Sequence, residues 1–223
     1  MPAREQRPGY RSILVTGFEP FGGESINPSW EACQLLPAEI GGLEVEKLRL
    51  PCEFRRSITL TARAIDRLHP VLVVGLGQAE GRARLGIERV AINLDDARIP
   101  DNAGKQPIDE FIAPNGPPAY FATLPVKAMV VAARAAGVEA EISNSAGTYV
   151  CNHLMYGMLH HLAESGSRAR GGFIHVPYSP AQAARHPDAP SMPVEAMARG
   201  IAAAIAAACE HPHDLHVSEG ALD

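Results

Sequence analysis

Cys151 stands in a sequence context that suits a nucleophilic thiol. It lies in SNSAGTYVCNHLMYG, where a strand and a glycine-containing turn give way to a helical pattern, so a helix N-terminus is predicted at the thiol. Free amide N–H groups and the positive end of the helix dipole favour a thiolate there and can bind an oxyanion. We therefore expect a lowered pKa for Cys151, although a buried, inert cysteine fits the same pattern.

A nucleophilic thiol needs a general base, and nine histidines compete for that role. His175 ends the apolar stretch GGFIHV just before Pro177, and ligand sites gather at the carboxyl ends of strands in open α/β sheets. A structural histidine also fits a strand end. His153 follows Cys151 by two residues, and such residues do not share a helix face. We expect His175 to be the base and His153 to point elsewhere.

Two histidine-rich stretches do not predict a metal site. His160 and His161, near Glu164, are adjacent rather than four residues apart, and the stretch HPHDLH in the tail is polar and lacks further ligands. We expect neither a metal ion nor any other cofactor.

The first strand runs into a glycine-rich turn, VTGFEPFGGESINPSW, that invites comparison with a phosphate-binding loop. Such a loop needs Lys and then Ser or Thr after its second spaced glycine, whereas Gly22 is followed by Gly23 and Glu24. The turn instead carries Phe18 and Phe21. These rings are either plugs of the core or the walls of a pocket for a flat, uncharged group.

An alternation of strands and helices, typical of a layered α/β domain, must position these residues. Short apolar runs bounded by Gly or Pro predict four buried strands, at Ser12–Thr16, Val71–Leu76, Val138–Ser143 and Gly172–Val176. Apolar and polar residues alternate over Ile87–Leu94, which predicts one edge or hairpin strand.

Five segments carry helical spacing or helix start and stop signals. Asn27 and Pro28 cap the first, Pro125 opens another that Gly137 closes, and a third runs from near Cys151 to Gly166. The other two have apolar stripes over 54–65 and 194–208. Residues 98–118 are rich in Pro, Gly and Asn and predict a long loop, of a length more often functional than idle.

Composition limits the classes of partner and location. The chain has 223 residues, 46% of them hydrophobic, so we expect one domain over 1–223 with flexible tails at 1–10 and 211–223. A formal charge of −5 without blocks of one sign predicts neither a nucleic-acid nor a membrane partner. The N-terminal segment resembles neither a signal peptide nor a membrane span. Four cysteines without close pairing indicate reduced thiols and hence a cytoplasmic protein.

Several stretches, taken in order, resemble the pyroglutamyl peptidase I family of cysteine peptidases, also called pyrrolidone carboxyl peptidases. They are GFEPFGG, GQAEGR, ERVAINLDDARIPDN, SAGTYVCNHLMYG and RGGFIHVPY, from Ile13 to Tyr178. An ordered set of this kind is far more specific than one glycine motif. The resemblance implies an α/β fold, a three-layer α/β/α sandwich around a twisted, mostly parallel, mixed sheet of the phosphorylase/hydrolase-like kind.

The same resemblance implies an activity and roles for matching residues. The family removes N-terminal pyroglutamate from peptides through a thioester on the enzyme, and its members are commonly homotetramers. By position, Cys151 is the expected nucleophile, His175 the base and Glu88 the carboxylate that orients the imidazole. Arg98, in ARIPDN, matches an arginine placed near the family's active site.

A pyrrolidone ring is flat and neutral, so aromatic walls and amide hydrogen bonds suit it better than a carboxylate does. Gln78 is expected to serve the lactam, and Tyr149 and Val150 to add lining by family position. The full set of expected substrate-binding residues is Phe18, Phe21, Asn27, Gln78, Arg98, Tyr149 and Val150.

Three positions depart from the family pattern. Glu80 replaces a glycine in GQAEGR, Ile87 replaces a proline and Tyr149 stands where Phe is common. A positive φ would strain Glu80, and its charge near Glu88 or the pocket would alter the pH profile. Two other functions therefore stay open, a catalytically impaired pyroglutamate-binding module and a nucleoside phosphorylase-like enzyme of similar architecture.

Overall fold

A computed structural model describes residues 12–220 and contains one large sheet with helices on both faces. The strands are β1 (Ser12–Phe18), β2 (Glu39–Ile40), β3 (Leu43–Leu50), β4 (Leu72–Gln78), β5 (Leu85–Glu88), β6 (Val90–Ile92), β7 (Ala119–Phe121), β8 (Ala140–Ser143) and β9 (Arg170–Val176). The helices are α1 (Pro28–Leu35), α2 (Arg56–Leu68), α3 (Val126–Ala135), α4 (Val150–Glu164), α5 (Pro180–Ala183) and α6 (Val194–Glu210).

The large sheet has seven strands in the order β2-β3-β1-β4-β9-β5-β8. Strands β3, β1, β4 and β9 run parallel, whereas β2 is antiparallel to β3 and β5 is antiparallel to β9. The mixed, mostly parallel sheet confirms the predicted fold class. Because β1, β4 and β9 are parallel neighbours, their carboxyl ends meet at one edge of the sheet, where ligand sites form in such folds.

Two apolar cores fill the space between the sheet and its helices. Along β1, Ile13 and Val15 face one core while Leu14 faces the other, as the two-residue period of a strand requires. Helices α1, α3 and α6 cover the first face, and α2 and α4 cover the second. The apolar runs of β1, β4 and β9 are therefore buried on both sides.

Three of the four strands predicted to be buried are confirmed as β1, β4 and β9, whereas β8 is a partly buried edge strand. The prediction of one strand over Ile87–Leu94 is wrong. The stretch breaks at Arg89 into two strands. Strand β5 lies inside the large sheet, and β6 pairs with β7 in a separate two-stranded antiparallel sheet. Leu85 and Ile87 are almost fully buried, so β5 is no edge strand. The strands β2, β3 and β7 and the short helix α5 were not predicted.

The five predicted helices are confirmed, and so is the long irregular loop. Asn27 caps α1, because its Oδ1 accepts a hydrogen bond from the N–H of Ser29 at 3.0 Å. Residues 98–118 contain no helix and no strand beyond an isolated bridge from Asp95 to Glu110. Within residues 12–220, no helix is both long and apolar enough to cross a membrane.

The expected N-terminal tail, 1–10, lies outside the described residues, as do the last three residues of the expected C-terminal tail. The rest of that second tail packs against α3. Asp214 Oδ1 accepts hydrogen bonds from the backbone N–H groups of Lys127 at 2.9 Å and Ala128 at 3.0 Å. Since Pro125 offers no side-chain cap, Asp214 satisfies the first turn of α3 from a distant part of the chain.

The capping by Asp214 predicts a measurable effect on stability. Asp214→Ala removes the acceptor for two helix N–H groups, so the free energy of unfolding should fall by about 0.5–2 kcal/mol in urea titrations. Asp214→Asn keeps an acceptor and should lose less. Equal stability of Asp214→Ala and wild type would show that residues 211–220 do not hold α3 in solution.

Candidate active site

A cavity of about 410 Å³ lies where the carboxyl ends of β1, β4 and β9 meet the start of α4. The residues that line it are Phe18, Phe21, Asn27, Cys52, Gln78, Ala79, Glu80, Arg82, Arg98, Ser145, Ala146, Gly147, Tyr149, Cys151 and His175. The structure thus brings together nearly all of the residues that the sequence predicts for the site. Glu88 and Val150 are absent from the lining because both are fully buried.

Cys151 is the second residue of α4, as the predicted helix start requires, and its side chain is partly exposed to the cavity. Its sulfur lies against β4 at Gly77, where an added Cβ would come within 2.7 Å of Sγ. Gly77 is the register partner of His175 on β9. The thiol therefore sits over the strand beside the imidazole, in space that only a glycine leaves open.

His175 is held from below by Glu88. His175 Nδ1 lies 2.7 Å from Glu88 Oε1, and both side chains are buried. A carboxylate can only accept, so Nδ1 carries the proton and Nε2 is left as the basic nitrogen. The pairing follows from the register, since His175 is opposite Gly86 and Glu88 is the next residue of β5 on the same face.

Arg82 is a site residue that the sequence analysis missed. Its Nη2 lies 3.1 Å from the same Glu88 oxygen that His175 contacts, and it also donates to Ser143 Oγ at 3.1 Å. An added Cβ at Gly86 would lie 2.1 Å from Arg82 Nη1, so the guanidinium occupies the space of a missing side chain. Arg82 is part of GQAEGR, but its contact with Glu88 depends on the turn before β5, which lays the guanidinium over Gly86.

The electrostatics of the thiol differ from the expectation. Burial, and then the charge of Glu88, raise the pKa of Cys151 to about 12, while the guanidinium of Arg82 lowers it. The predicted lowering by the helix N-terminus is thus outweighed by loss of solvent around the sulfur.

Aromatic side chains form one wall of the cavity. Phe21 and Tyr149 have ring centroids 6.0 Å apart, and Phe54 meets Tyr149 edge-on at 5.5 Å. The Tyr149 hydroxyl donates to the carbonyl of Pro100 at 3.0 Å, which ties the long loop to the start of α4. Phe18 is almost fully buried yet reaches the cavity, so it is both a core residue and a wall.

Val150 has a different position from the one expected. It is the first residue of α4, and its side chain is fully buried in the core that α4 shares with the sheet. Cys52 also lines the cavity, although no sequence signal marked it as a site residue. Burial raises its pKa strongly, so Cys52 contributes a neutral thiol to the wall.

The polar side chains of the cavity differ in how many of their hydrogen-bonding groups already have partners within the protein. Asn27 is largely used by the protein, because its Oδ1 caps α1 and its Nδ2 donates to the carbonyl of Glu19 at 3.0 Å. Gln78 accepts a hydrogen bond at Oε1 from Gln182. Arg98 is exposed and lines both this cavity and an adjoining one of about 420 Å³.

The departure at Glu80 does not strain the chain. The positive φ in this turn belongs to Gly81, at +78°, and Glu80 is not among the described residues with positive φ. Glu80 is exposed at the rim shared by the two cavities. The change from the family glycine is therefore one of charge and size at the mouth of the site.

His153 is confirmed to point away from the cavity. Its Nδ1 lies 2.7 Å from Asp95 Oδ2, and its Nε2 accepts the backbone N–H of Arg55 at 2.8 Å. Both ring nitrogens are thus engaged in holding the chain at Arg55, which has a positive φ of 66°. Among residues 12–220, no three His, Cys, Asp or Glu side chains are grouped to hold a metal ion.

Comparisons with known proteins agree with this geometry. Residues 11–211 match the model of the pyroglutamyl peptidase family. A pyrrolidone-carboxylate peptidase of Yersinia pestis (strain Pestoides F) is 53% identical over 213 residues, which cover 95% of this chain and 99% of the relative. An enzyme of the same description from Yersinia pseudotuberculosis serotype I (strain IP32953) has the same identity and coverage, 53% over 95% and 99%.

Solved structures lead to the same family. Pyroglutamyl peptidase I of Bacillus amyloliquefaciens superposes with a TM-score of 0.90 at 40% identity, covering 94% of this chain and all of that one. Pyrrolidone carboxyl peptidase of Thermococcus litoralis gives a TM-score of 0.86 at 40% identity, with 90% and 94% covered. From the matched residues, the identities and the shared fold, this chain belongs to the pyroglutamyl peptidase family.

Proposed function

We propose that this protein is a cysteine peptidase that hydrolyses the amide bond after an N-terminal pyroglutamyl residue of a peptide. The observation that carries this proposal is the pairing of His175 with Glu88 at 2.7 Å, in a cavity that also holds the thiol of Cys151. A thiol, an imidazole and a carboxylate that orients it form the set needed for acyl transfer. The substrate class comes from the family and its relatives.

In the proposed acylation step, Cys151 attacks the carbonyl carbon of pyroglutamate while His175 Nε2 takes the thiol proton. Because burial raises the pKa of Cys151, we assign the loss of the thiol proton to the attack itself. His175 then gives this proton to the departing amine, and a thioester remains on Cys151. Water activated by His175 hydrolyses the thioester and releases pyroglutamate.

The developing oxyanion needs donors, and the first turn of α4 supports this role. Tyr149, at the N-cap, makes no side-chain capping hydrogen bond, so the N–H groups beside Cys151 are available to a ligand. Glu88 keeps the proton on Nδ1 of His175 and stabilises the imidazolium that forms during each step. Arg98 at the rim is a second source of positive charge.

The walls of the cavity suit a pyrrolidone ring. We assign the flat faces of the ring to Phe18, Phe21 and Tyr149, and its carbonyl to the amide of Gln78. Asn27 lines the cavity, but its hydrogen bonds mainly serve α1. Val150 is left with a backbone role, because its side chain is in the core.

Neither alternative function is favoured by the site or its relatives. A nucleoside phosphorylase-like activity is not supported, because the full-length matches are to pyroglutamyl peptidases. A silent binding module would require that Glu80 disable the site, yet Glu80 is exposed and outside the positive-φ region. Release of 4-nitroaniline from a pyroglutamyl anilide tests both, and its absence at every pH from mild acid to mild alkali would contradict the peptidase.

Substitutions of the three proposed catalytic residues should separate their roles. Cys151→Ser and His175→Ala should lower kcat by at least about 10³-fold, because each removes a group that makes or breaks bonds. Glu88→Gln should retain measurable activity with kcat lowered about 10²- to 10⁴-fold, since the imidazole loses its tautomer preference. Anilide hydrolysis under saturating substrate measures all three.

Cys209→Ser is the matched control, because Cys209 is partly buried in α6, far from the cavity lining. It should leave kcat unchanged. Full activity in Cys151→Ser would contradict the mechanism, and a loss in Cys209→Ser would mean that general destabilisation explains both.

Arg82 is proposed as a positioning residue that acts through Glu88. Arg82→Gln leaves the buried carboxylate without its cation, so kcat should fall, and Arg82→Lys should recover part of it. Because Arg82 lowers the pKa of Cys151, Arg82→Gln should also slow alkylation of Cys151 by iodoacetamide at a fixed, mildly alkaline pH.

Arg84→Gln provides the control, because Arg84 is exposed and pairs with Glu141 at 3.1 Å, away from the cavity. It should change neither rate. If Arg82→Gln lowers kcat but leaves the alkylation rate as in wild type, Arg82 is a fold residue and not a positioning residue.

We propose that the protein is cytoplasmic and assembles as a homotetramer. All four cysteines are free in the described chain, which suits a reducing compartment. Large apolar side chains are exposed at Phe111, Phe121 and Ile92, and such patches are common at subunit interfaces. Sedimentation equilibrium should give four times the mass of 23.8 kDa, and Phe121→Ser should shift it to smaller species.

A further inference from the structure

Gln182 is a fully buried amide behind the candidate active site. It lies in α5, the helix that begins directly after Ser179, and it does not line the cavity. Its Nε2 donates to Gln78 Oε1 at 2.8 Å. Gln182 is therefore in contact with a cavity residue while being shielded from any ligand.

Backbone groups on both sides fix the orientation of the Gln182 amide. Its Oε1 accepts the N–H of Ser179 at 3.3 Å, and a backbone N–H can only donate. Its Nε2 is 3.4 Å from the carbonyl oxygen of Ile26, which can only accept. Rotating the amide by half a turn would place donor against donor and acceptor against acceptor, so one orientation is selected.

The orientation of the Gln182 amide in turn fixes the orientation of the Gln78 amide. Because Gln182 presents an N–H group, Gln78 must present Oε1 to it, and its own Nε2 is turned the other way. Gln78 is 9% exposed and lines the cavity, and its Nε2 donates to no group in the described part of the chain. The cavity therefore offers a hydrogen-bond donor at Gln78.

We propose that Gln182 is a specificity-determining positioning residue, which holds Gln78 as a donor for the ring carbonyl of the substrate. A ring that carries a carbonyl completes the bond, whereas a prolyl ring of the same size displaces solvent from the Nε2 group without giving it a partner. The proposal rests on the pyroglutamyl peptidase function, and it assigns the choice between a lactam and a plain pyrrolidine to a residue that no substrate touches.

Gln182→Glu tests this with almost no change of shape. When ionised, the new carboxylate can still accept from Ser179 but cannot donate to Gln78, so the Gln78 amide should turn and present its carbonyl oxygen to the cavity. Because Gln182 is buried and also contacts the carboxylate of Glu24, the assays are run at mildly alkaline pH, where the new carboxyl is ionised. The KM for pyroglutamyl 4-nitroanilide and the inhibition constant of 2-pyrrolidone should each rise about 10- to 100-fold. The value of kcat should change little, because the lost contact binds ground state and transition state alike.

Two further variants guard against a loss of folding. Gln182→Met removes the donor without adding a charge and leaves Gln78 free to rotate, so KM should rise by a smaller factor. Ser179→Ala removes the hydroxyl that caps α5 but keeps the Ser179 N–H and the Gln182 donor, so it should leave KM unchanged. Thermal unfolding of each variant identifies any that do not fold. If the Gln182→Glu protein is unfolded, the KM values of Gln182→Met and Ser179→Ala are compared instead, and a higher KM in Gln182→Met supports the role of Gln182.

The outcomes separate this inference from the proposed function. A wild-type protein without hydrolytic activity contradicts the peptidase itself. An active wild type with unchanged KM and inhibition constant in Gln182→Glu or Gln182→Met overturns the role of Gln182 alone. A fall in kcat with constant KM would also overturn it, because that pattern indicates damage to the catalytic residues.

Discussion

The site depends on one fully buried carboxylate. Glu88 has no exposed surface and shares its Oε1 between His175 and Arg82, while its Oε2 has no hydrogen-bond partner within residues 12–220. A carboxylate in such a place costs several kcal/mol unless cations and donors surround it. The imidazole and the guanidinium supply that compensation, so both are fixed in orientation by the same charge. The hydrogen bond that orients the proposed base, His175, therefore also stabilises the buried carboxylate of Glu88.

Missing side chains make this arrangement fit. Gly86 leaves space for the guanidinium of Arg82, and Gly77 leaves space for the sulfur of Cys151. A Cβ at Gly75 would meet the ring of Phe173 at 2.4 Å, so the aromatic residue under His175 also depends on a glycine. The close packing that follows removes water from the thiol and raises its pKa. In the proposed mechanism, this raised pKa makes proton transfer to His175 part of the attack.

Much of the fold and part of the site could be predicted from the sequence, because those features are local. Short apolar runs marked the buried strands, and the turn before Cys151 marked a helix start. The contribution of Arg82 could not be predicted, because it depends on the turn before β5, which lays the guanidinium over Gly86 beside Glu88. The same holds for Gln182, which meets Gln78 across 104 positions of chain. Strand direction and long-range pairing leave no trace in hydrophobic spacing, and the alternating pattern of Ile87–Leu94 concealed a break between two sheets.

The departure at Glu80 shows how geometry changes the meaning of a substitution. The sequence suggested that the charge of Glu80 would act on Glu88 or on the pocket. The charges that shift the pKa of Cys151 are instead those of Glu88 and Arg82. Glu80 instead contributes, after burial, to the raised pKa of Tyr178, which lines the adjoining cavity. That cavity shares Phe21, Gln78, Glu80, Arg98 and Tyr149 with the first. The charge therefore acts at the passage between the two cavities and not on the buried ion pair, because the carboxylate of Glu88 is enclosed while Glu80 is in solvent.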